Sequence, residues 1–321
     1  MTEAVRVERS TRTSRVFGAA GLLLLVFLVA APFYGGRSEL HLLVEIFSYL
    51  ALASLWNLLA GYTGLVSIGQ QAFVGLGGYS LFTLTIFFGV TPLLAVLLAG
   101  AVAALFAIPT AWVIFRLKGA YFAIGTWVVA EVYRLSFAQV IVLGGGSGSS
   151  LPSQIVQSIA PNRLARDNLI YWTGLGVVVA VLAAIYLILR SRWGLALTAI
   201  RDSEPAAESV GVDNYRAKFL VYLLTAGATG IVGALICLQN LRISPDAAFS
   251  VNDWTAFVIF IVVIGGIGRL EGPLLGTIVF FLLREFFADW GPWYLMLLGL
   301  LAILITLTMP KGIAGVFSGP I

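Results

Sequence analysis

Residues 57–80 read NLLAGYTGLVSIGQQAFVGLGGYS and lie between two long apolar runs. Glycine stands at 61, 64, 69, 75, 77 and 78, and glutamine at 70 and 71. The flanking runs decide the fold class. Stretches of about 18 or more apolar residues recur along the chain, the length a helix needs to cross a bilayer. A helix satisfies its own backbone in lipid, and such runs do not match the short alternating strands of a barrel. With 60% hydrophobic and 11% charged residues, the composition lies outside the soluble range. The chain therefore reads as an all-α polytopic membrane protein surrounded by lipid.

Working outward from 57–80, we place ten spans at 16–34, 40–60, 72–89, 92–115, 119–142, 169–189, 217–238, 254–268, 272–289 and 293–309. Arg6, Arg9, Arg12 and Arg15 precede the first span, so the positive-inside rule puts the N-terminus in the cytoplasm. The inward loops then carry Arg116, Lys118, Arg190, Arg192, Arg201, Arg216, Lys218, Arg269 and Lys311, and the C-terminus is cytoplasmic too. The expected organisation is a cytoplasmic segment 1–15, one transmembrane domain 16–315 and a tail 316–321. An external loop spans 143–168 and a cytoplasmic loop 190–218. Val29 and Ala31 sit at small-residue cleavage positions, but no polar region follows the apolar run, so a retained first helix is expected. Cys237 lacks a disulfide partner, and the single His41 excludes a histidine-cluster metal site. The net charge of +4 is no nucleic-acid signal here, because the distribution of cations reports topology.

Much of the small-residue content reads as helix packing. Ala95, Ala99, Ala103 and Ala107 repeat on one face, as do Ala226, Gly230 and Ala234, and Gly272 with Gly276 forms GxxxG. The 57–80 stretch differs because its glycines accompany polar groups. Gly61, Gly64 and Gly69, with Ser67, Gln70 and Gln71, suggest unwound backbone between two spans. Irregular backbone at membrane depth survives where it is buried in protein or faces water. Two readings stay open, a lining of a solute path or a cytoplasmic turn with ordinary packing. A second glycine-rich break, VVIGGIGRLEGPLLG at 262–276, is expected on the same side. Glu131 and Arg134 share a helix face near the middle of the fifth span, either as a structural ion pair or as part of a path. Glu45, His41, Arg284 and Glu285 lie nearer span ends, where snorkelling suffices. No chain of buried carboxylates is present of the kind a proton-driven carrier needs.

The 190–218 loop predicts a short helix. Asp202 or Ser203 can cap it, Pro205 suits its first turn, and Glu204 and Glu208 lie near its positive end. Ala206, Ala207 and Val210 form a small apolar stripe, and Gly211 is placed to end the helix. Such a helix suits docking into a groove on another protein, or is a solvated surface element. No Walker A pattern occurs, so this chain does not hydrolyse ATP through a P-loop.

Five blocks in one order, NLLAGYTGLVSIGQQAFVGLGGYS, RLKGAYFAIGTWVVAEVYR, AIRDSEPAAESVGVDNYRAKF, IGGIGRLEGPLLG and MPKGIAG, carry a resemblance. Together they resemble the LivM-like permease subunits of branched-chain amino acid ABC transporters, over residues from about 50 to 315. The resemblance implies that the loop with Arg201, Asp202, Glu204, Ala206, Ala207, Glu208 and Gly211 is a coupling helix docking on an ATPase subunit. It places the 57–80 stretch in the core of the translocation domain. It also implies a second, related permease, two cytoplasmic ATP-binding subunits and an extracytoplasmic solute-binding protein in a bacterial cytoplasmic membrane. No cofactor is expected on this chain, ATP being used by the partners. Gln71 and Trp127 depart from the family pattern, and both would alter a nearby path. Urea, short amides or other amino acids are alternative solutes, and a self-sufficient secondary carrier or a structural membrane protein are the rival classes.

Overall fold

The computed structural model describes residues 12–160, 162–287, 291–309 and 312–317, so Arg6, Arg9, Lys311 and most of the tail lie outside the described residues. Helices occupy each of the ten expected segments: α1 (Arg12–Tyr34), α2 (Arg37–Thr63), α3 (Gln70–Phe87), α4 (Pro92–Ile114), α5 (Ala120–Ala138), α7 (Arg163–Arg190), α10 (Asn214–Asn240), α12 (Phe257–Gly265), α13 (Gly272–Phe287) and α14 (Pro292–Thr308). Between them lie the shorter α6 (Ser153–Ile159), α8 (Arg192–Asp202), α9 (Glu204–Ser209) and α11 (Pro245–Ala248), and α15 (Ile313–Phe317) follows.

Among the described residues, six helices are long and apolar enough to cross a membrane by length and composition. They are α2, α4, α7, α10, the Pro245–Gly265 segment and a Met296–Gly315 segment that overlaps most of α14. A seventh is added if α5 and Ile141–Ser147, bent by 85°, count as one span. The structure thus gives a multi-pass helical protein. The fifth of the expected spans is shorter as a helix than the sequence suggested, stopping at Ala138, where the chain turns, while α13 runs to Phe287, the last described residue before 291. The eighth starts earlier than expected, at Pro245, and passes through one π-helical turn at Asn252–Ala256.

Helix α10 is the hub. It packs against α4, α3, α2 and α7, while α2 also packs on α7, α12 and α13. Two apolar helices have no reason to leave lipid for one another, so close backbone approach must supply the contact energy. The expected small-residue faces do this. Ala95, Ala99, Ala103 and Ala107 are all fully buried. A methyl group on Gly230 would overlap the Cβ of Ala103, and one on Gly77 would overlap the carbonyl oxygen of Gly230. Helix α10 is thus clasped at one residue from both sides. The Gly272–Gly276 pair serves the α12–α13 contact, where a methyl group at Gly276 would overlap the Ile261 carbonyl.

The glycine-serine tract of the external loop forms two 3-10 turns, then pairs antiparallel through β1 (Ser149–Ser150) with β2 (Arg242–Ile243). Gly148, at φ +78, approaches the Ile243 carbonyl where no side chain fits.

A Gly230→Ala change should cost about 1–3 kcal/mol through overpacking. The same change at Gly176 of α7, which has no neighbour in reach, should be neutral or gain up to about 1 kcal/mol of helix propensity. Thermal unfolding of the two variants in detergent checks this; equal melting points would show that the α10 seam is not tight.

Candidate functional site

Helix α2 ends with Gly64 at φ +73, its N–H donating to Ala60 O at 3.2 Å and that of Leu65 to Leu59 O at 3.3 Å. A left-handed residue closing the last turn is the geometry that glycine allows without strain. Residues 64–69 are then non-helical until α3 begins at Gln70. The unwound part is fastened from several sides. Trp56 Nε1 donates to Ser67 O at 2.8 Å, and the Ile68 N–H donates to Thr126 Oγ1 at 3.0 Å. Gly69 lies against the Thr126 carbonyl, and its N–H donates to Ser67 Oγ at 3.2 Å. Gln70 Nε2 donates to Leu52 O at 2.9 Å, and Gln71 Oε1 accepts from the Thr255 hydroxyl. Gln70 Oε1 and Gln71 Nε2 are buried without a protein partner.

The second glycine-rich break comes to the first. Gly61 packs with its Cα hydrogens toward the Gly268 backbone, and Asn57 bridges the two segments. Its Oδ1 accepts from Gly268 N–H at 2.8 Å, and its Nδ2 donates to Arg269 O at 2.8 Å. One amide thereby satisfies a donor and an acceptor on a turn that has left its helix, Gly266 and Gly268 both having positive φ. Arg201, from α8, reaches the same point, its Nη1 donating to Gly61 O at 3.4 Å while its other edge pairs with Asp202 at 3.0 Å.

Helix α9 is capped as the composition of the loop predicts. Ser203, not Asp202, is the cap, its Oγ accepting from Ala206 N–H at 3.4 Å, with Pro205 in the first turn. Gly211 at φ +88 closes the end, its N–H donating to Glu208 O at 3.0 Å. The expected apolar stripe divides: Ala207 is buried, whereas Ala206 and Val210, four apart, face outward, Val210 being 76% exposed. Glu204 pairs with Lys218 at 2.5 Å, and Asn214 Nδ2 donates to Glu204 O at 2.9 Å and Glu208 Oε1 at 3.1 Å. Both Asn214 and Lys218 belong to the first turns of α10, so α9 is lashed to the hub helix. Between α9, the 64–66 backbone and the α4–α5 connection lies a cavity of about 500 Å³, lined among others by Val66, Lys118, Phe122, Glu208 and Tyr215.

These features lie within residues 40–307, which match the family model described as branched-chain amino acid transport system / permease component. The chain belongs to this family. The permease is 28% identical over 329 residues to the high-affinity branched-chain amino acid transport system permease protein LivM of Escherichia coli (strain K12), covering 96% of this chain and 76% of that one. It is 24% identical to a probable branched-chain amino acid transport permease protein LivH of Methanocaldococcus jannaschii, over 79% and 84% of the two chains. It is 25% identical to the nucleoside ABC transporter permease protein NupC of Lactococcus lactis subsp. cremoris, over 72% and 76%. No solved structure matches the permease.

The structure brings together Gly61, Gly64, Ser67, Gly69, Gln70, Gln71 and Arg201, but not Glu131 and Arg134. Gly61 itself is helical, in the last turn of α2, rather than in the unwound stretch. Glu131 and Arg134 stand five and eight residues beyond Thr126, roughly 8 and 12 Å along α5. They are not an isolated pair at the centre of a long span. Arg134 lies in the penultimate turn of a helix that ends at Ala138, and it also pairs with Asp246 of α11 at 2.5 Å. With Glu131 42% exposed on its side chain, the trio fastens α5 to α11. Trp127 is half exposed, while Gln71 is buried in the first turn of α3, next to the break. Asn57 and Asn214 carry site roles that the sequence reading does not assign, and Lys218, read there only as an inward cation, is the partner of Glu204. An asparagine inside an apolar run was the one available signal, and its partner lies some two hundred residues away.

Replacing Asn57 with Leu should remove the partner of the half-buried Gly268 N–H and one bond to the Arg269 carbonyl, at about 1–3 kcal/mol. A lowered unfolding temperature in detergent, with faster thiol labelling of an Ile267→Cys reporter, is the expected outcome; unchanged values for both would remove Asn57 as the bridge.

Proposed function

We propose that this permease forms half of the translocation path of a binding-protein-dependent ABC importer for branched-chain or related amino acids, in the cytoplasmic membrane of a bacterium. Ten spans cross the membrane, with both termini in the cytoplasm. Supporting this are the helices at all ten expected segments and the basic residues, most of which fall on one set of alternate connections, with Arg37, Arg163, Arg166 and Arg242 on the other. A second, homologous permease completes the path, two ATP-binding subunits supply energy, and an extracytoplasmic binding protein delivers solute.

The observation that carries the proposal is the fastening of the 190–218 loop. Helix α9 presents Ala206 and Val210 outward while Glu204 and Asn214 tie it to α10, and Arg201 reaches the backbone at which the two glycine-rich breaks meet. An ATPase subunit that seats the exposed side of α9 would move α10 with it, and α10 bears directly on α3 and α4. The breaks at 64–69 and 266–271 then serve as the joints that absorb the motion, being the places where helical hydrogen bonds are already given up.

The Lactococcus lactis relative, named as a nucleoside ABC transporter permease, supports one second reading, in which the solute is a nucleoside. Vesicles holding the complete complex should take up labelled leucine in preference to labelled uridine; the reverse preference would replace the amino-acid reading.

Glu204→Lys puts two cations where α9 meets α10, and Gly211→Leu forces a branched side chain into a left-handed turn. Both variants should keep hydrolysing ATP within the complex while leucine uptake per ATP falls on the order of tenfold or more. Normal uptake by both would mean that the loop does not transmit the motion.

A further inference from the structure

On the opposite half of the molecule α2 carries a polar stripe, in which Gln239 Nε2 of α10 donates to His41 O at 2.9 Å and Ser48 Oγ turns back to Val44 O at 2.8 Å, leaving Glu45 to pair across to α13. Ser38, His41, Glu45 and Ser48 recur at intervals of three and four along one face of the first half of α2. The stripe runs roughly 15 Å from the α2 N-terminus, about half the thickness of a hydrocarbon core. It faces a cavity of about 470 Å³ closed by the end of α10, with Gln239 and Asn240, and by Trp254 of the π-helical turn.

The cavity sets the carboxylate of Glu45 on its wall, with Arg284 behind that carboxylate and outside the lining, above an apolar floor. Glu45, one-third exposed, accepts from Arg284 of α13 at 2.5 Å, and Arg284 is itself 43% exposed. Snorkelling to a span end does not account for Glu45, whose carboxylate turns sideways to a neighbouring helix two turns below the start of α2. The floor is aromatic. Tyr49, nearly buried, stacks on Trp254 at 5.8 Å between ring centres and touches Phe280 and Phe281 at 5.5 and 5.7 Å. The π turn matters here because its extra residue re-aims side chains, and Trp254 is the one it sets over Tyr49. Ile236 of α10 adds an aliphatic wall.

We infer that this cavity is a solute site, in which the Glu45–Arg284 pair opens to clasp an α-amino acid by its ammonium and carboxylate groups. A zwitterion inserted between a carboxylate and a guanidinium keeps charges alternating, so both ions exchange one partner for another rather than losing one. The guanidinium offers a two-pronged donor to the carboxylate, Glu45 accepts from the ammonium, and an apolar side chain lies along Tyr49, Trp254 and Ile236. A nucleoside has neither charge and could not open the pair. The inference rests on the importer reading and its orientation, which place this cavity in the outward half.

The test uses the complex purified from its native membrane and rebuilt in vesicles, with ATP-driven uptake of labelled leucine and ATP hydrolysis measured together. Glu45→Gln should lower leucine uptake per ATP on the order of tenfold, with hydrolysis unchanged. The exchanged pair, Glu45→Arg with Arg284→Glu, restores the ion pair and so repairs any purely structural role. It should keep complex yield and hydrolysis at the unmodified level without restoring uptake, because the zwitterion would be held reversed with its side chain off the aromatic floor. Uptake restored to the unmodified level by the exchanged pair, or unaffected by Glu45→Gln, overturns the clasp and leaves the importer standing. No leucine uptake by the unmodified complex overturns the importer reading, and the clasp with it.

Discussion

Everything in this fold depends on how closely α10 can approach α3 and α4. In lipid, apolar side chains gain nothing by meeting each other, so helices associate only where backbones come near enough for dense contact. Gly77, Gly230 and the alanine face of α4 supply that nearness on both sides of one helix. A hub held by backbone contact is stiff, because no long side chain is available to yield. It transmits displacement instead of absorbing it.

That stiffness gives the polar fastenings their meaning. Helix α9 adds the Glu204–Lys218 pair and the Asn214 amide to the base of α10, so the loop and the hub form one body. Arg201 and Asn57 tie the same region to the two breaks. The surface pair is exposed on the Glu204 side and worth little alone, but Asn214 is buried and its two bonds are not exchanged freely with water. Motion is left to the unwound segments, whose buried polar groups have partners that do not depend on a continuous helix.

The sequence made the fold class and the helix positions legible, since long apolar runs separated by short basic connections admit few alternatives. The α9 caps were legible for the same local reason, Ser203, Pro205 and Gly211 each acting within a few residues. Places where local pattern meets distant partners were not. The fifth span looked longer than its helix because the residues after Ala138 are apolar yet bend away, and Asp246, which anchors Arg134, is over a hundred residues off. The Ala206, Ala207 and Val210 stripe was read as one face, although only a buried neighbour decides that Ala207 turns inward. The polar stripe on α2 was visible as residues but not as a cavity, because its other walls come from α10 and the π turn.

The central claim is that α9 and the base of α10 travel together during transport. A complex carrying Glu204→Cys and Lys218→Cys, with buried Cys237 replaced by Ala, can be locked by a short thiol cross-linker and assayed in vesicles before and after reduction. The account predicts that locking leaves ATP-driven uptake intact, since the two elements move as one body. Loss of uptake on locking, regained on reduction, would show that the loop must part from α10 to work and would contradict it.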